Sequence, residues 1–595
     1  MSNYDNFSKD ELLKLVEKQE AELKAKKYGL VWDSEKEPEQ VVLDCENNIP
    51  ILQRVKEKEI KTDDSDDNIL IEGDNYHALT CLNYTHKGKI DVIYIDPPYN
   101  TGSQDFVYND KYIDLEDSYR HSKWLNFMDK RLRLANNLLK EDGFIFISID
   151  DNEQAQLKLL CNSIFGENNF ISQIVVESGE VFGTKAAHAN KTIVKVKDYV
   201  LVYSKNKSST LRKPLYDNMR ELYDSHFGTI IENDLTTISI INYIKKNIKI
   251  SELFKKYELQ INHNNINFMM IINQEFRDYM YNELADKLFA DAPFSRKIDT
   301  DFLSKQPFGK PFKFEDKLLF KTKTGSIRMY LKFKDTLKYS DDYKSNYSRC
   351  SIRGDLWKNF HFDMRNVQDE GNIDLKNGKK PIRLIKQLIK WVNKKDIILL
   401  DFFAGSWSSW HAILKMNEED GENRKFILCT YNEENGSGIK IAEEFCYPRI
   451  KNVIKGYNES KGLNGNLQYF KTDLIPVERI DNISDHQRNE LTEKAGQMIA
   501  IKENTFEEVE TNEWYQIFEN KDKSKKTAIY FRENMDEFES LVKKIGKTKT
   551  VLYVFSYSRI DKKIFNYLGK NIVLEDIPEP ILEIYKEINL TLKDK

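Results

Sequence analysis

ILIEGDNYHALTCLNYTHKGKIDVIYIDPPYN, residues 69 to 100, is the stretch from which the fold can be read. Two short apolar runs, Ile69 to Ile71 and Val92 to Ile95, bracket a span of helical character that reaches about Tyr84. Strand-length runs separated by a helix mark an α/β layer with a parallel sheet. The pattern continues with a predicted helix from about Tyr119 to Lys140 and the strand GFIFISID at 143 to 150. It returns far downstream: a helix near 381 to 393, the strand DIILLDFF (396 to 403), a helix after Trp407 and the strand KFILCTYN (425 to 432). Two Rossmann-like α/β halves thus flank a long middle.

At the end of the first stretch, Asp96-Pro97-Pro98-Tyr99 follows directly on an apolar strand. Each proline lacks an N–H, so the chain must leave the sheet at its carboxyl edge. Ligands of open α/β sheets bind outside that edge. A carboxylate, a carbonyl of fixed geometry and an aromatic ring suit the exocyclic amino group of a nucleobase. Asp96 and the Pro97 carbonyl can each accept one N–H, and Tyr99 can stack on a base extruded from its duplex. The set fits direct methylation of adenine N6 or cytosine N4, and the motif alone leaves both open. In the second half, the strand ending at Asp401 runs into Phe403-Ala404-Gly405-Ser406 ahead of a helix. There a cofactor's polar end would meet helix N-terminal N–H groups, and Gly405 would let the backbone approach it.

Composition bounds these readings. The chain has 595 residues, enough for several domains, and 40% of them are hydrophobic and 31% charged, which excludes a disordered or fibrous chain. The formal charge is −5, so contact with an anionic polymer must come from local patches. Six scattered cysteines without a CxxC pair predict a reducing, cytoplasmic setting and no metal. No apolar run approaches the ~18 residues of a membrane span, so no membrane role is expected. Gly546-Lys547-Thr548 mimics the end of a phosphate loop, but position 541 is Leu and a strand follows, so no ATP site is expected.

The two motifs, in this order, resemble the permuted β-class DNA amino-methyltransferases. The flanking text is similar to the Mod subunits of Type III restriction–modification systems: LIEGDNYHALTCLNYTHKGKIDVIYIDPPYNTG (70 to 102), DSYRHSKWLNFMDKRLRLANNLLKEDGFIFISIDDNE (117 to 153), LLDFFAGS (399 to 406) and CYPRIKNVIKGY (446 to 457). The resemblance implies an S-adenosylmethionine-dependent, adenine-N6-specific enzyme acting on double-stranded DNA with base flipping. It places Asp96, Pro97, Pro98 and Tyr99 at the target base. It places Asp401, Phe403, Gly405 and Ser406 at the cofactor, with Lys380 beside Pro381 closing over the amino-acid end. Asp74 is the candidate for the cofactor's adenine and Glu433 for its ribose. A homodimer and a separate restriction subunit carrying helicase and nuclease activities are also implied.

The domains expected are an N-terminal helix and lead-in (1–67), the catalytic half (68–169), an inserted target-recognition domain (170–365), the cofactor half (366–474) and a C-terminal α/β domain (475–595) suited to dimerisation. Within the first, residues 8 to 27 have a helical pattern with Ser8 and Glu11 spaced as a capping box. Residues 171 to 214 carry eight basic side chains against three acids, and 291 to 350 carry fourteen against eight. Lys185, Lys191, Lys195 and Lys197 are the expected phosphate contacts. One departure stands out. Where the family has a second glycine and a later small residue, this chain has Trp407 and Trp410. Weak methyl transfer, with the chain serving as a recognition subunit, is the alternative those indoles suggest.

Overall fold

A computed structural model describes residues 39–595, except 63–65, 103–106, 109–110, 113–115, 182–189, 191, 208–211, 366–379, 406–407, 433–439, 481, 558 and 594–595. The helix expected at 8 to 27 lies outside them, as do Lys185, Lys191, Ser406, Trp407 and Glu433. The chain forms two compact units, residues 214–354 and the remainder.

The larger unit is built on a ten-stranded sheet. Its strands are β1 (Asn48–Arg54), β2 (Asp67–Glu72), β3 (Ile90–Ile95), β4 (Leu139–Ile149), β5 (Phe170–Glu177), β6 (Lys197–Ser204), β7 (Leu356–Trp357), β8 (Ile398–Asp401), β9 (Lys425–Thr430) and β10 (Asn466–Pro476). They lie in the order β1-β10-β2-β9-β8-β3-β4-β6-β5-β7. From β10 through β2, β9, β8, β3 and β4 every pair is parallel. All six residues of β3 are buried, as the middle of a doubly covered sheet requires. Among the helices of this unit are α1 (Gln40–Asn47), α2 (Asn75–Thr85), α3 (Arg120–Leu138), α4 (Gln154–Phe165), α5 (Ile382–Val392) and α6 (Ser408–Asp420).

β8 and β3 are neighbours, yet the chain leaves them in opposite directions. From β8 it passes through α6 to β9 on one side, and from β3 through α3 to β4 on the other. This reversal of strand order opens a crevice between their carboxyl ends. Both motifs singled out in the sequence stand at that crevice.

Three expectations change. The sheet is mixed, because β1 pairs antiparallel with β10, and β6 pairs antiparallel with both β4 and β5. β5, β6 and β7 belong to this sheet, so the compact insertion is 214–354 and not 170–365. The reason is the apolar content of the first two strands: Ile174, Val176 and Val200 to Tyr203 are buried despite the basic residues around them. The tail, finally, is no separate compact unit. Its five-stranded sheet (507–577) encloses a core of its own. The neighbouring helices Asp485–Lys494, Gly496–Glu503 and Glu579–Lys593, however, share one apolar cluster with α2 and β1, and the Tyr585 hydroxyl donates to the Pro50 carbonyl at 2.8 Å.

The insertion contains a six-stranded antiparallel sheet and short helices between 240 and 278, closed around its own core. Its two ends meet: Tyr216 and Ile352 are paired across adjacent strands, and the Arg353 N–H donates to the Leu215 carbonyl at 2.8 Å.

Candidate active site

The Asp96 to Asn100 turn is fixed from several sides. Trp124 on α3 donates its indole N–H to the Pro98 carbonyl at 2.8 Å. Asn100 adopts φ 56°, a left-handed conformation that Asn tolerates better than most residues, and its amide donates to buried Glu153. His121 also meets Glu153, at 2.6 Å. The Tyr99 hydroxyl donates to Asp96 Oδ1 at 2.7 Å. Burial pushes the Asp96 carboxyl above the usual carboxylate range, aided by Asp198 and opposed by Lys380 and Tyr99.

Lys380 stands immediately before α5, with its carbonyl accepting the Ser408 hydroxyl. Its ammonium lies 3.7 Å from Asp96 Oδ1, 3.3 Å from Asp198 Oδ2 and 4.8 Å from the centre of the Tyr99 ring. Burial disfavours the charge, but Asp96, Asp198 and Asp150 outweigh it and hold the lysine above its ordinary pKa. Lys380 and the Asp96 to Tyr99 turn therefore form one site.

Across the crevice, Asp401 closes β8. Its Oδ1 accepts the Phe403 N–H at 3.0 Å and its Oδ2 the Ser409 hydroxyl at 2.6 Å. Burial pushes its pKa up to about 7. Phe403 packs 5.8 Å from Phe127. A Cβ on Gly405 would meet nothing nearer than the Phe403 carbonyl at 3.9 Å. The packing of the described residues thus does not itself demand glycine there.

A family model described as a DNA methylase matches residues 90–447. The chain belongs to the DNA methylase family. Among curated relatives, the methylase is 29% identical over 489 residues to the Type III restriction-modification enzyme EcoPI Mod subunit of Escherichia phage P1, covering 76% of this chain and 70% of that one. It is 30% identical over 432 residues to the Type II methyltransferase M.KpnI of Klebsiella pneumoniae, covering 69% and 92%. Among solved structures it is similar to a putative DNA modification methylase from Thermus thermophilus complexed with S-adenosyl-L-methionine, at 11% identity, with 68% and 99% covered and a TM-score of 0.29.

Other expected site residues of the methylase fall as follows. Asp74 caps α2, accepting the Tyr76 N–H at 2.6 Å, and lies 3.5 Å from the Arg131 guanidinium. Lys195 and Lys197, expected at DNA phosphates, meet carboxylates in the protein: Lys195 pairs with Asp150 at 2.6 Å and Lys197 with Asp151 at 2.7 Å. Trp410 lies inside the fold. It is fully buried on α6, its ring centre 5.3 Å from that of His411 and 6.3 Å from that of Phe426. Among the described residues no cluster of His, Cys, Asp or Glu is arranged to hold a metal, and no helix is long and apolar enough to cross a membrane.

Sequence reading missed Asp198, which shares Lys380 with Asp96, because nothing local distinguishes it. It also missed Arg131. That buried guanidinium pairs with both oxygens of Glu39 at 2.9 and 2.6 Å, donates to Asn75 and covers the Phe127 ring at 3.8 Å. Asn75 in turn donates to the Phe402 carbonyl at 3.0 Å, so Arg131 braces the loop after β8. An arginine on the buried face of the α3 pattern was the available signal.

Proposed function

We propose that this methylase is the modification and recognition subunit of a Type III-like restriction–modification system, transferring a methyl group from S-adenosylmethionine to adenine N6 within a short DNA sequence. The observation that carries the reading is that the Asp96 to Tyr99 turn follows β3 and the Phe403 to Gly405 turn follows the neighbouring strand β8, at the point where strand order reverses. The likeness to Mod subunits over about three-quarters of the chain supports the Type III assignment.

The residues present fit the cofactor. Asp96 and Asp198 against Lys380 leave a net negative charge at the crevice, which suits a sulfonium cation, and Gly405 leaves room at the loop. Phe403, Gly405 and Asp401 would line the cofactor's place; Asp74, Ser406 and Glu433 are proposed as further contacts. When bound, S-adenosylmethionine supplies an electrophilic methyl carbon on sulfur.

The chain's own residues orient the acceptor. Asp96 accepts one amino N–H and the Pro97 carbonyl the other, which turns the nitrogen lone pair out of conjugation and toward the methyl carbon. With the cofactor in place, the nitrogen would take that methyl, the carbon–sulfur electron pair would leave on sulfur as a neutral thioether, and the proton released by the nitrogen would pass by way of Asp96, which already accepts its N–H, to solvent. Tyr99 holds the extruded base by its face.

DNA recognition is assigned to the insertion together with the basic stretch that precedes it, with Lys185 and Lys191 among the phosphate contacts. A homodimer and a separate restriction subunit, working in the cytoplasm, complete the proposal on the strength of the same likeness. Long-read methylation profiling of DNA from cells expressing the chain tests it. A single motif carrying N6-methyladenine is expected, whereas modified cytosine or unmodified DNA refutes it.

A further inference from the structure

Lys380 occupies both contacts that a target base needs. Its ammonium lies 3.7 Å from the Asp96 oxygen that would accept an amino N–H, and 4.8 Å from the centre of the ring on which the base would stack. A cation over an aromatic face and beside a carboxylate satisfies the same two groups as a flat ring bearing an amino donor. The two cannot share that volume.

The lysine has a second place to go. Asp198, at the start of β6, lies nearer to it than Asp96 does, at 3.3 Å. Beyond Asp198 stands Lys195, 3.7 Å from its other oxygen but bound more closely to Asp150, at 2.6 Å. Asp198 is thus left as a receiver for Lys380. The Lys380 carbonyl is held by the Ser408 hydroxyl and Pro381 caps α5, so the transfer asks only for a swing of the side chain. A buried ammonium stripped of every carboxylate would be costly, and Asp198 removes that cost when Asp96 is claimed by a base.

Resting on the methyl-transfer reading above, we propose that Lys380 controls admission of the target base: its ammonium holds the place of the base's amino group in the free protein and passes wholly to Asp198 as the base arrives. Asp198 is then a positioning residue, acting through Lys380. Lys380→Met would leave the base site open, and Asp198→Asn would leave Lys380 on Asp96. The two substitutions therefore act in opposite directions, which a loss of structural support would not produce.

The test uses the full chain and a duplex with 2-aminopurine at the methylated position found by profiling. Without cofactor, Lys380→Met is expected to raise the fluorescence of the extruded base. Asp198→Asn is expected to lower it and, at saturating cofactor, to raise KM for DNA about tenfold. The double variant should behave as Lys380→Met alone. Equal signals in all variants, or a double variant that follows Asp198→Asn, overturns the proposal. A second measurement stands apart from methyl transfer: acetic anhydride labelling read by mass spectrometry. Slow labelling of Lys380 in the free protein, speeded in Asp96→Asn/Asp198→Asn, supports its clasp between two carboxylates even if no methylation is found, in which case the functional reading alone fails. Labelling of Lys380 as fast as that of exposed lysines overturns the proposal whatever the methylation result.

Discussion

Leu400 lies beside Ile93 in parallel register, and this one strand pairing joins the two halves of the chemistry. Ile93 stands three residues before Asp96, and Leu400 three before Phe403. The Asp96 to Tyr99 turn and the loop after β8 therefore leave the sheet at the same level, although some three hundred residues of sequence separate them.

The first consequence concerns Asp96. Asp96→Ala should abolish methyl transfer, measured by mass spectrometry of nucleosides, with DNA binding retained; Asp96→Asn, which keeps one carbonyl acceptor, should cost on the order of 10²-fold or more in kcat. Because burial raises the Asp96 pKa, the acid limb of the wild-type kcat profile should lie above the ordinary carboxylate range.

Asp401 predicts a pH dependence of stability. Its folded-state pKa of about 7 exceeds the value of 3.8 for a free side chain, so the folded state binds the proton more tightly. Stability from this group is fully present below pH 3.8 and is lost as pH rises through about 7. The loss is of the order of 4 kcal/mol at ~1.4 kcal/mol per pKa unit. Asp401→Asn should remove this slope, so that its stability relative to wild type rises between about pH 4 and pH 7 in denaturant melts.

Trp410 lies in the apolar layer between α6 and β9. Trp410→Ala should destabilise the fold by about 3–5 kcal/mol in chemical denaturation. Trp410→Phe should keep the affinity for S-adenosylhomocysteine within error in calorimetric titration, and a large gain would mean that the indole obstructs the cofactor.

Arg131 predicts a coupled pair. Arg131→Met leaves Glu39 buried without its partner and should cost about 3–5 kcal/mol, with weaker cofactor binding because the brace through Asn75 is lost. Replacing both, as Arg131→Met/Glu39→Leu, should recover much of the stability but not the affinity. A double-mutant cycle of thermal melts and titrations checks this.

DNA affinity should fall steeply with salt, since the proposed phosphate contacts release counterions. Lys197→Ala, which removes a partner of Asp151 and not a proposed phosphate contact, should leave the slope of log Kd against log salt unchanged. A reduction of that slope by about one would return Lys197 to the DNA track.

How much was visible beforehand follows from the range of each interaction. β3, β4, β8 and β9 were legible because a buried strand writes itself as a local apolar run. Asp96 to Tyr99 was legible because two prolines at a strand end have few other uses. The edges of the insertion were not, since β5 and β6 mix buried Val and Ile with lysines that a count assigns to DNA. The Lys380 to Asp198 contact spans 182 residues, and no local pattern encodes it. The tail helices read as a separate domain because their partner surface, α2, is about four hundred residues away in the chain.

The insertion begins and ends on one strand pair, Tyr216 opposite Ile352, closed by the Arg353 to Leu215 hydrogen bond. A segment whose two ends are joined in this way behaves as a cassette. Exchange between relatives at Pro214 and Gly354 would replace the whole insertion in one genetic event, and with it the proposed recognition surface, while leaving the Asp96 and Asp401 crevice intact. A population carrying such chains would acquire a new methylation pattern without reinventing the enzyme.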